Sequence, residues 1–232
     1  MELIWEGIKH AFGLLLSGDA EVFRITLLSL QVSGTATVIS LLVGVPLGTL
    51  IALSRFPGRG LVVSLINTGM GLPPVVVGLF VSIFLWRSGP LGLLDLLYTP
   101  TAIVVAQFII AVPIVTGLTL AAVQQIPPQF RLQILALGAS RVQLLWVLLR
   151  EARLPMLAAV MAGFGAVISE VGASMMVGGN IRGQTRVLTT ATVLETGKGN
   201  FDLAIALSLL LLLITFLVNW ALTWIQQPRR PG

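Results

Sequence analysis

The run from Ile25 to Ser54 contains no charged side chain, and this constrains the fold more than any other feature of the sequence. A helix needs about 20 consecutive apolar residues to cross the hydrocarbon core of a bilayer. Charged residues make up 10% of the chain, whereas soluble domains carry about a quarter. The sequence therefore predicts an all-α integral membrane protein with about five transmembrane helices, at residues 25–54, 61–86, 101–123, 154–177 and 203–225.

Prolines indicate where two of these spans depart from a regular helix. The Gly71–Pro74 segment is expected to kink or break the second span, because proline lacks an amide donor and clashes with the preceding turn. Pro113 is expected to interrupt the third span. In a membrane such a break persists only where it is buried in protein or faces a cavity. The Gly71–Pro74 segment thus indicates either a packing kink or the lining of a pathway.

The two ends of the chain differ from the spans. Residues 3–16 are apolar, but Glu6, Lys9 and His10 interrupt them and they are too short to cross a bilayer. They predict an amphipathic helix in the membrane interface. We divide the chain into an N-terminal interfacial segment (1–23), a transmembrane domain (24–226) with a polar loop at 126–155, and a tail (227–232).

Positive charge is unevenly distributed between two groups of loops. The loops at 55–60 and 124–153 together with the C-terminus have eight arginines and one acid, a net charge of +7. The other extramembrane segments have six cations and seven acids, a net charge of −1. Because positively charged loops stay in the cytoplasm, we expect the N-terminus outside and the C-terminal tail inside. The overall charge of +5 then reports topology, and no nucleic-acid partner is expected.

The sequence lacks the residues that most catalytic sites need. It has no cysteine and one histidine, which excludes a disulfide, a thiolate metal site and a histidine cluster within one chain. No GxxxxGK[ST], GxSxG or HExxH motif occurs. A transport component fits better than an enzyme, and ATP hydrolysis would have to occur on another chain. A self-sufficient channel or secondary transporter is the alternative from a different class.

The longest segment that is not a plausible span is the basic loop 126–155, IPPQFRLQILALGASRVQLLWVLLREARLP. Its residues 137–140 predict a helix–glycine–helix turn. The ALGASR run, with Leu154-Pro155 downstream, resembles the cytoplasmic signature of permease subunits of binding-protein-dependent ABC importers. Gly138 matches the glycine of that signature, while residues 132–134 (LQI) stand where the family usually has Glu-Ala-Ala.

A second resemblance lies downstream of this loop. Residues 168–173 (ISEVGA) are similar to an element of molybdate and sulfate permeases. Residues 175–181 (MMVGGNI), followed by 195–200 (ETGKGN), are most similar to bacterial tungstate permeases. The resemblance extends from about Arg24 onward. It implies the transmembrane domain of a type I ABC importer in a prokaryotic inner membrane, carrying an oxyanion such as tungstate, with molybdate or sulfate as alternatives.

The resemblance also implies partners. Two copies of the chain would form the pathway, an ATPase subunit would dock on each cytoplasmic loop, and an extracytoplasmic binding protein would deliver the anion. ATP and Mg²⁺ would bind the ATPase, and this chain would bind no cofactor. The alternative is that the loop lies on the bilayer with its arginines on anionic lipid headgroups. The expected ATPase-coupling residues are Arg131, Leu132, Leu135, Leu137, Gly138, Ala139, Ser140 and Arg141.

Glu170 is an ionisable residue well inside a predicted span, and such a residue is by default a functional candidate. A carboxylate would repel an anion, so we expect a structural or gating hydrogen bond across helices or across the dimer, with a pathway role as the alternative. Arg182 and Arg186 are expected to attract the anion, to contact the binding protein, or to belong to an ordinary solvated loop. The expected translocation and gating residues are Ser169, Glu170, Gly172, Gly178, Gly179 and Asn180, with Thr189 and Thr190 as further donors.

Overall fold

The computed structural model describes residues 5–9, 13 and 19–227, and every regular element within residues 19–227 is a helix. Residues 1–4, 10–12 and 14–18 of the predicted N-terminal segment lie outside the described residues, and so does the tail from residue 228 onward. Residues 5–9 are helical, with Gly7 buried against Ile205. Within residues 19–227 the ten α-helices are α1 (Ala20–Leu53), α2 (Arg59–Met70), α3 (Pro74–Leu85), α4 (Pro100–Gln124), α5 (Pro128–Ala136), α6 (Arg141–Glu151), α7 (Arg153–Ile168), α8 (Gly172–Gly178), α9 (Leu188–Gly197) and α10 (Phe201–Gln226).

Three helices are long and apolar enough to cross a membrane by themselves, namely α1, α4 and α10. Two further pairs have the same character but are bent, by 99° between α2 and α3 and by 67° between α6 and α7. The described residues therefore contain three to five candidate spans, and the predicted all-α membrane fold is confirmed. The predicted fourth span is divided, because α7 ends at Ile168 and α8 begins at Gly172.

The two proline predictions had opposite outcomes. The break at Gly71–Pro74 is confirmed, because α2 ends at Met70 and α3 begins with Pro74 as its first residue. The interruption at Pro113 is wrong, because α4 continues through it. A Cβ built on Gly69 would lie 2.8 Å from the Cβ of Pro113, so α2 packs closely on α4 at this point.

Helix α1 packs along α4, and small residues make this contact close. A Cβ on Gly48 would lie 2.5 Å from the carbonyl oxygen of Thr116, and one on Gly44 would lie 2.8 Å from Val115. Such close backbone approach is how membrane helices associate when lipid provides no hydrophobic driving force between them. Gly44 and Gly48 therefore belong to the packing face of α1.

Three buried apolar clusters hold the remaining helices. The first joins α1, α3, α4 and α8, and the second joins α1, α9 and α10. The third surrounds Leu148 of α6, which is completely buried against Val123 and Ile126 at the end of α4. This third cluster fixes the basic loop to the end of a spanning helix.

Candidate translocation and coupling sites

The basic loop folds as two short helices joined at Gly138. Gly138 has φ of +82°, in the left-handed region, and its N–H donates to the carbonyl of Leu135 at 3.0 Å. Ser140 then caps α6: its Oγ accepts from the Gln143 N–H at 3.3 Å, and its own N–H donates to Gln143 Oε1 at 2.8 Å. This reciprocal capping box starts the second helix directly after the turn. The predicted helix–glycine–helix pattern is confirmed.

The turn exposes its apolar side chains. Leu137 is 84% exposed and Leu132 66% exposed, whereas Leu148 on the following helix is fully buried. The loop thus has an anchored half and a projecting half. All eight predicted coupling residues lie in the projecting half, within residues 131–141. Arg131 and Ala139 are partly exposed, and the other six are exposed.

Glu170 lies in the break between α7 and α8 and is buried. Its Oε1 accepts a hydrogen bond from the Ala173 N–H at 2.6 Å, so the carboxylate caps the start of α8. In this structure the carboxylate bonds to the next segment of its own chain, and the expected bond across helices or across the dimer stays a prediction. The bond between elements is instead made by the Glu170 carbonyl, which accepts from Thr189 Oγ1 of α9 at 2.8 Å.

The break is also supported on its α7 side. The carbonyl of Val167 accepts from Gln107 Nε2 of α4 at 3.0 Å and from Ser33 Oγ of α1 at 3.5 Å. Side-chain donors of this kind satisfy backbone groups that a helix break leaves free within a membrane. Neither donor was predicted from the sequence. The signal for Gln107 was available, because it is the one amide side chain in the apolar run 101–123.

At its other end α8 stops at two glycines. A Cβ on Gly178 would lie 2.8 Å from Ile103 Cδ1, and one on Gly179, whose φ is +70°, would lie 2.8 Å from the Tyr98 ring. The Tyr98 N–H donates to the Val177 carbonyl at 2.8 Å. Asn180 Nδ2 donates to the carbonyl of Thr190 at 3.3 Å, while its buried Oδ1 has no hydrogen-bond partner among the described residues.

The six predicted translocation residues therefore flank the two ends of α8. Helix α8 packs against α3, where a Cβ on Gly78 would lie 2.7 Å from the Cα of Ala173 and one on Gly172 would lie 2.6 Å from Val75. The hydroxyl of Ser169 is exposed and donates to the Gly165 carbonyl at 2.7 Å. The arrangement is a short, tightly held helical segment placed beyond a break in a span.

The charged residues beyond α8 are paired with one another. Arg182 and Arg186 both contact Glu21 near the start of α1. On α9, Glu195 accepts from Lys198 Nζ at 2.7 Å and from Asn200 Nδ2 at 2.8 Å. The Asn200 amide, and then the Lys198 ammonium, lower the pKa of Glu195 below its usual value.

The hydroxyls that we considered as anion donors have other partners. Thr189 donates to the Glu170 carbonyl, and Thr190 Oγ1 donates to the Val187 carbonyl at 3.0 Å and accepts from the Val187 N–H at 3.1 Å. Both threonines are buried. In this conformation they stabilise the start of α9 and the helix break.

Apolar helices with a broken span and a projecting, basic helix–turn–helix fit a membrane transport component. The chain belongs to the family described as "Binding-protein-dependent transport system inner membrane component", whose model matches residues 44–230. Members of this family are the permease subunits of ABC transporters. The family description states their dependence on a binding protein. A permease of an ABC importer implies, in general, an ATPase partner.

Named relatives agree with this assignment over nearly the whole chain. The chain is 40% identical over 227 residues to the tungstate uptake system permease protein TupB of Peptoclostridium acidaminophilum, covering 98% of this chain and 100% of that protein. It is 42% identical over 213 residues to a probable anion ABC transporter permease protein of Haloferax volcanii, covering 90% and 91%.

The fold also matches a solved structure. A chain of the MetNI methionine ABC transporter, described as inward-facing, superposes with a TM-score of 0.72 at 20% identity, covering 90% of this chain and 95% of that one. At this identity the likeness concerns the fold alone. It agrees with the predicted type I importer transmembrane domain.

Proposed function

We propose that this chain is the permease subunit through which tungstate enters the cell, with energy supplied by an ATPase that docks on the Gly138 turn. The observation that carries the proposal is the projecting turn. It presents Leu137 and Arg141 outward, while the capping box and the buried Leu148 hold it to the end of α4. An exposed surface with apolar and basic side chains, anchored to the end of a spanning helix, suits a partner subunit whose movement must be transmitted to the spans.

Tungstate is proposed as the substrate because the sequence resembles tungstate permeases both in short runs and over its whole length. The MMVGGNI and ETGKGN runs resemble tungstate permeases, and a relative named for tungstate uptake is 40% identical from end to end. The structure adds that these runs form the end of α8 and the end of α9. Molybdate and sulfate are the competing substrates within the family.

The substrate test is uptake in cells that lack their own tungstate transport. The chain is expressed with its ATPase and its binding protein, and cellular tungsten and molybdenum are measured by mass spectrometry. We expect tungsten to accumulate, and a tenfold excess of molybdate or sulfate to leave most of the uptake intact. Preferential accumulation of molybdenum would overturn the substrate assignment, and uptake that survives an inactive ATPase would favour a channel or secondary transporter. Binding of the three anions to the purified binding protein supplies the independent check.

We also propose that two copies of the chain enclose the pathway and that the N-terminus is outside. The charge distribution supports this orientation, since the arginines of residues 126–155 lie at one end of the spans. Because the chain has no cysteine, single cysteines can report topology directly. In intact cells, Leu137→Cys should be protected from an impermeant thiol reagent and Lys198→Cys should be labelled. The reverse pattern would contradict the orientation.

For the pathway itself we propose that α8 acts as a gate. The segment is short, and each of its ends depends on a few specific contacts: the Glu170 cap at one end and the Gly178–Gly179 packing at the other. Ser169, Gly172 and Asn180 border these ends. Movement of α7, which leads directly from the docking loop, would reach α8 through the Glu170 break.

A further inference from the structure

A cavity of about 280 Å³ lies between the first turns of α1 and the loop that joins α8 to α9. Its walls carry two cations, one acid and two side-chain amides, and the rest of its α1 wall is apolar. The charged and amide residues are Arg24, Arg186, Glu21, Gln31 and Gln184. In the orientation proposed above, this cavity is at the outer end of the spans, far along the chain from the docking turn.

Arg186 has more hydrogen-bonding capacity than the described residues satisfy. Its side chain is 15% exposed, and its Nη1 contacts Glu21 Oε1 at 3.5 Å, which is long for an ion pair. Its Nε is buried and has no hydrogen-bond partner among the described residues. A guanidinium group has five N–H donors and stays charged, and a buried donor without an acceptor is costly. An acceptor in the adjoining cavity would remove this cost.

Arg24 provides a second guanidinium group from the opposite wall. It is exposed, and it has no carboxylate partner among the residues that the structure describes. Its Nη1 lies 3.6 Å from a Cβ built on Gly183, so the side chain lies against the loop that carries Arg186. Two guanidinium groups on facing walls repel each other unless an anion lies between them.

The donors of this cavity fit one class of ligand. The planar fork of an arginine matches two oxygens of a tetrahedral oxyanion, and it does so better than it matches a spherical ion such as chloride. The amides of Gln31 and Gln184 are both exposed and can donate to the remaining oxygens. The cavity therefore fits a tetrahedral dianion, the form shared by tungstate, molybdate and sulfate.

Glu21 keeps such a site weak. Its carboxylate is already paired with Arg182 and Arg186, so it competes with an arriving anion for Arg186. A site on a transport route must bind strongly enough for the ion to enter and weakly enough for it to leave. A tethered carboxylate beside two arginines meets both requirements.

The loop beside the cavity is fixed to the end of α8. Thr185 is 1% exposed, and its Oγ1 donates to the Gly178 carbonyl at 2.5 Å and accepts from the Ile181 N–H at 2.9 Å. Arg186 is the next residue, so an anion that binds its guanidinium is one residue from this connection. The cavity thus adjoins the segment proposed above as the gate.

We propose that this cavity binds the transported oxyanion on the outer side of the α8 gate, with Arg24 and Arg186 as its ligands and Glu21 as a competing anion. This inference rests on the transport function and the orientation proposed above, and it assigns the anion its first contact with the permease. A phospholipid phosphate has the same chemistry, so the test separates the free anion from a lipid headgroup.

The test measures the unfolding temperature of the full-length permease in mild detergent, without the binding protein or the ATPase. Sodium tungstate replaces sodium chloride at constant ionic strength and mildly alkaline pH, where tungstate is a monomeric dianion. A ligand that binds the folded state raises this temperature in proportion to the logarithm of its concentration above Kd, which yields an apparent affinity. We expect tungstate, molybdate and sulfate all to raise the unfolding temperature above its value in chloride.

Three variants give the prediction a sign. Arg24→Gln should weaken tungstate binding about fivefold, the effect of one exposed ion pair. Glu21→Gln should strengthen it, because the competing carboxylate is gone. Arg87→Gln is the matched control, because it removes an exposed arginine from the loop after α3 and should leave the affinity unchanged. Each variant is compared with itself in chloride, so a change in its basal stability does not enter the comparison.

Four outcomes would overturn the proposal. They are an unfolding temperature that tungstate leaves at its chloride value, equal weakening by Arg24→Gln and Arg87→Gln, weaker binding in Glu21→Gln, and loss of the tungstate effect when phosphatidylglycerol is added to the micelles. The last result would assign the cavity to a lipid phosphate. Tungstate uptake by the complete wild-type transporter is measured in parallel. Normal uptake alongside any of these outcomes rejects this site alone, whereas absent uptake rejects the transport proposal.

Discussion

Replacement of Gly138 tests whether the left-handed conformation of the docking turn matters for transport, without introducing a steric clash. Gly138 has φ of +82°, and a Cβ built on it meets no atom within 4 Å. Alanine would therefore cause no clash, but an L-residue in the left-handed region costs about 1–2 kcal/mol. A cost of that size lowers the population of the native turn about 5- to 30-fold if the turn can relax to another conformation.

Gly199 provides a closely matched control. Its φ is +80°, it also has no atom within 4 Å of a built Cβ, and it follows α9, away from the docking loop. Gly199→Ala should therefore have the same backbone cost as Gly138→Ala. Only Gly138→Ala should reduce the stimulation of the ATPase and tungstate uptake in proteoliposomes containing the complete transporter. Gly138→Asn should retain intermediate activity, because asparagine tolerates this backbone conformation.

Two results would refute this reasoning. Wild-type uptake by Gly138→Ala would show that the turn is not a coupling element or that its left-handed conformation is unnecessary. Equal losses in Gly138→Ala and Gly199→Ala would show that the damage is to folding. The amount of protein inserted in the membrane, measured for each variant, distinguishes a folding defect from a coupling defect.

Three further predictions concern α8 and α9. Glu170→Gln keeps an oxygen that can accept a hydrogen bond from the Ala173 N–H, so this variant should assemble normally. Glu170→Ala should lose about 0.5–2 kcal/mol of stability, measured by thermal unfolding in detergent. If Glu170→Gln also transports normally, no role that needs the charge survives. Gly78→Ala should destabilise the protein by about 1–3 kcal/mol, because the added methyl group overpacks against Ala173. Gly34→Ala is the control and should have no such effect, because a Cβ on Gly34 meets nothing within 4 Å. Equal unfolding temperatures for the two variants would contradict the close contact at Gly78. Because the pKa of Glu195 is lowered, it stabilises the fold above the ordinary glutamate pKa of about 4.3 and loses this effect as the pH falls through the lowered pKa. Unfolding temperatures measured across this acid range should therefore fall less steeply in Glu195→Gln than in the wild type, and parallel curves would show that the pairing contributes nothing.

The sequence predicts where a helix begins or ends when a single residue and its near neighbours determine that boundary. Pro74 begins α3 because proline fits the first turn of a helix, where its missing donor has no cost. Pro113 has the same chemistry, yet α4 continues through it, with Gly69 of α2 packed closely on the proline ring. This outcome depends on which helix faces Pro113, and no local pattern contains that information.

In the candidate site, too, features that depend on neighbouring residues were predictable, whereas features that depend on distant helices were not. The Gly138 turn was predictable because its residues bond to near neighbours, such as Ser140 with Gln143. The Val167 carbonyl, in contrast, receives donors from two helices that are distant in sequence. The break at Glu170 contains no proline, so nothing in the local sequence indicated that the span would be divided there.

The length of α1 has a consequence for the bilayer itself. At 34 residues α1 is about 51 Å long, while a bilayer with its headgroups is about 40–45 Å thick. Containing the whole helix would need a tilt of about 30–40°, at the upper end of the observed range. Helix α1 would then cross the bilayer at a slant, with Glu21 paired with Arg182 at one of its ends. A change in acyl-chain length would alter this tilt, so the position of the Glu21–Arg182 pair depends on the thickness of the membrane.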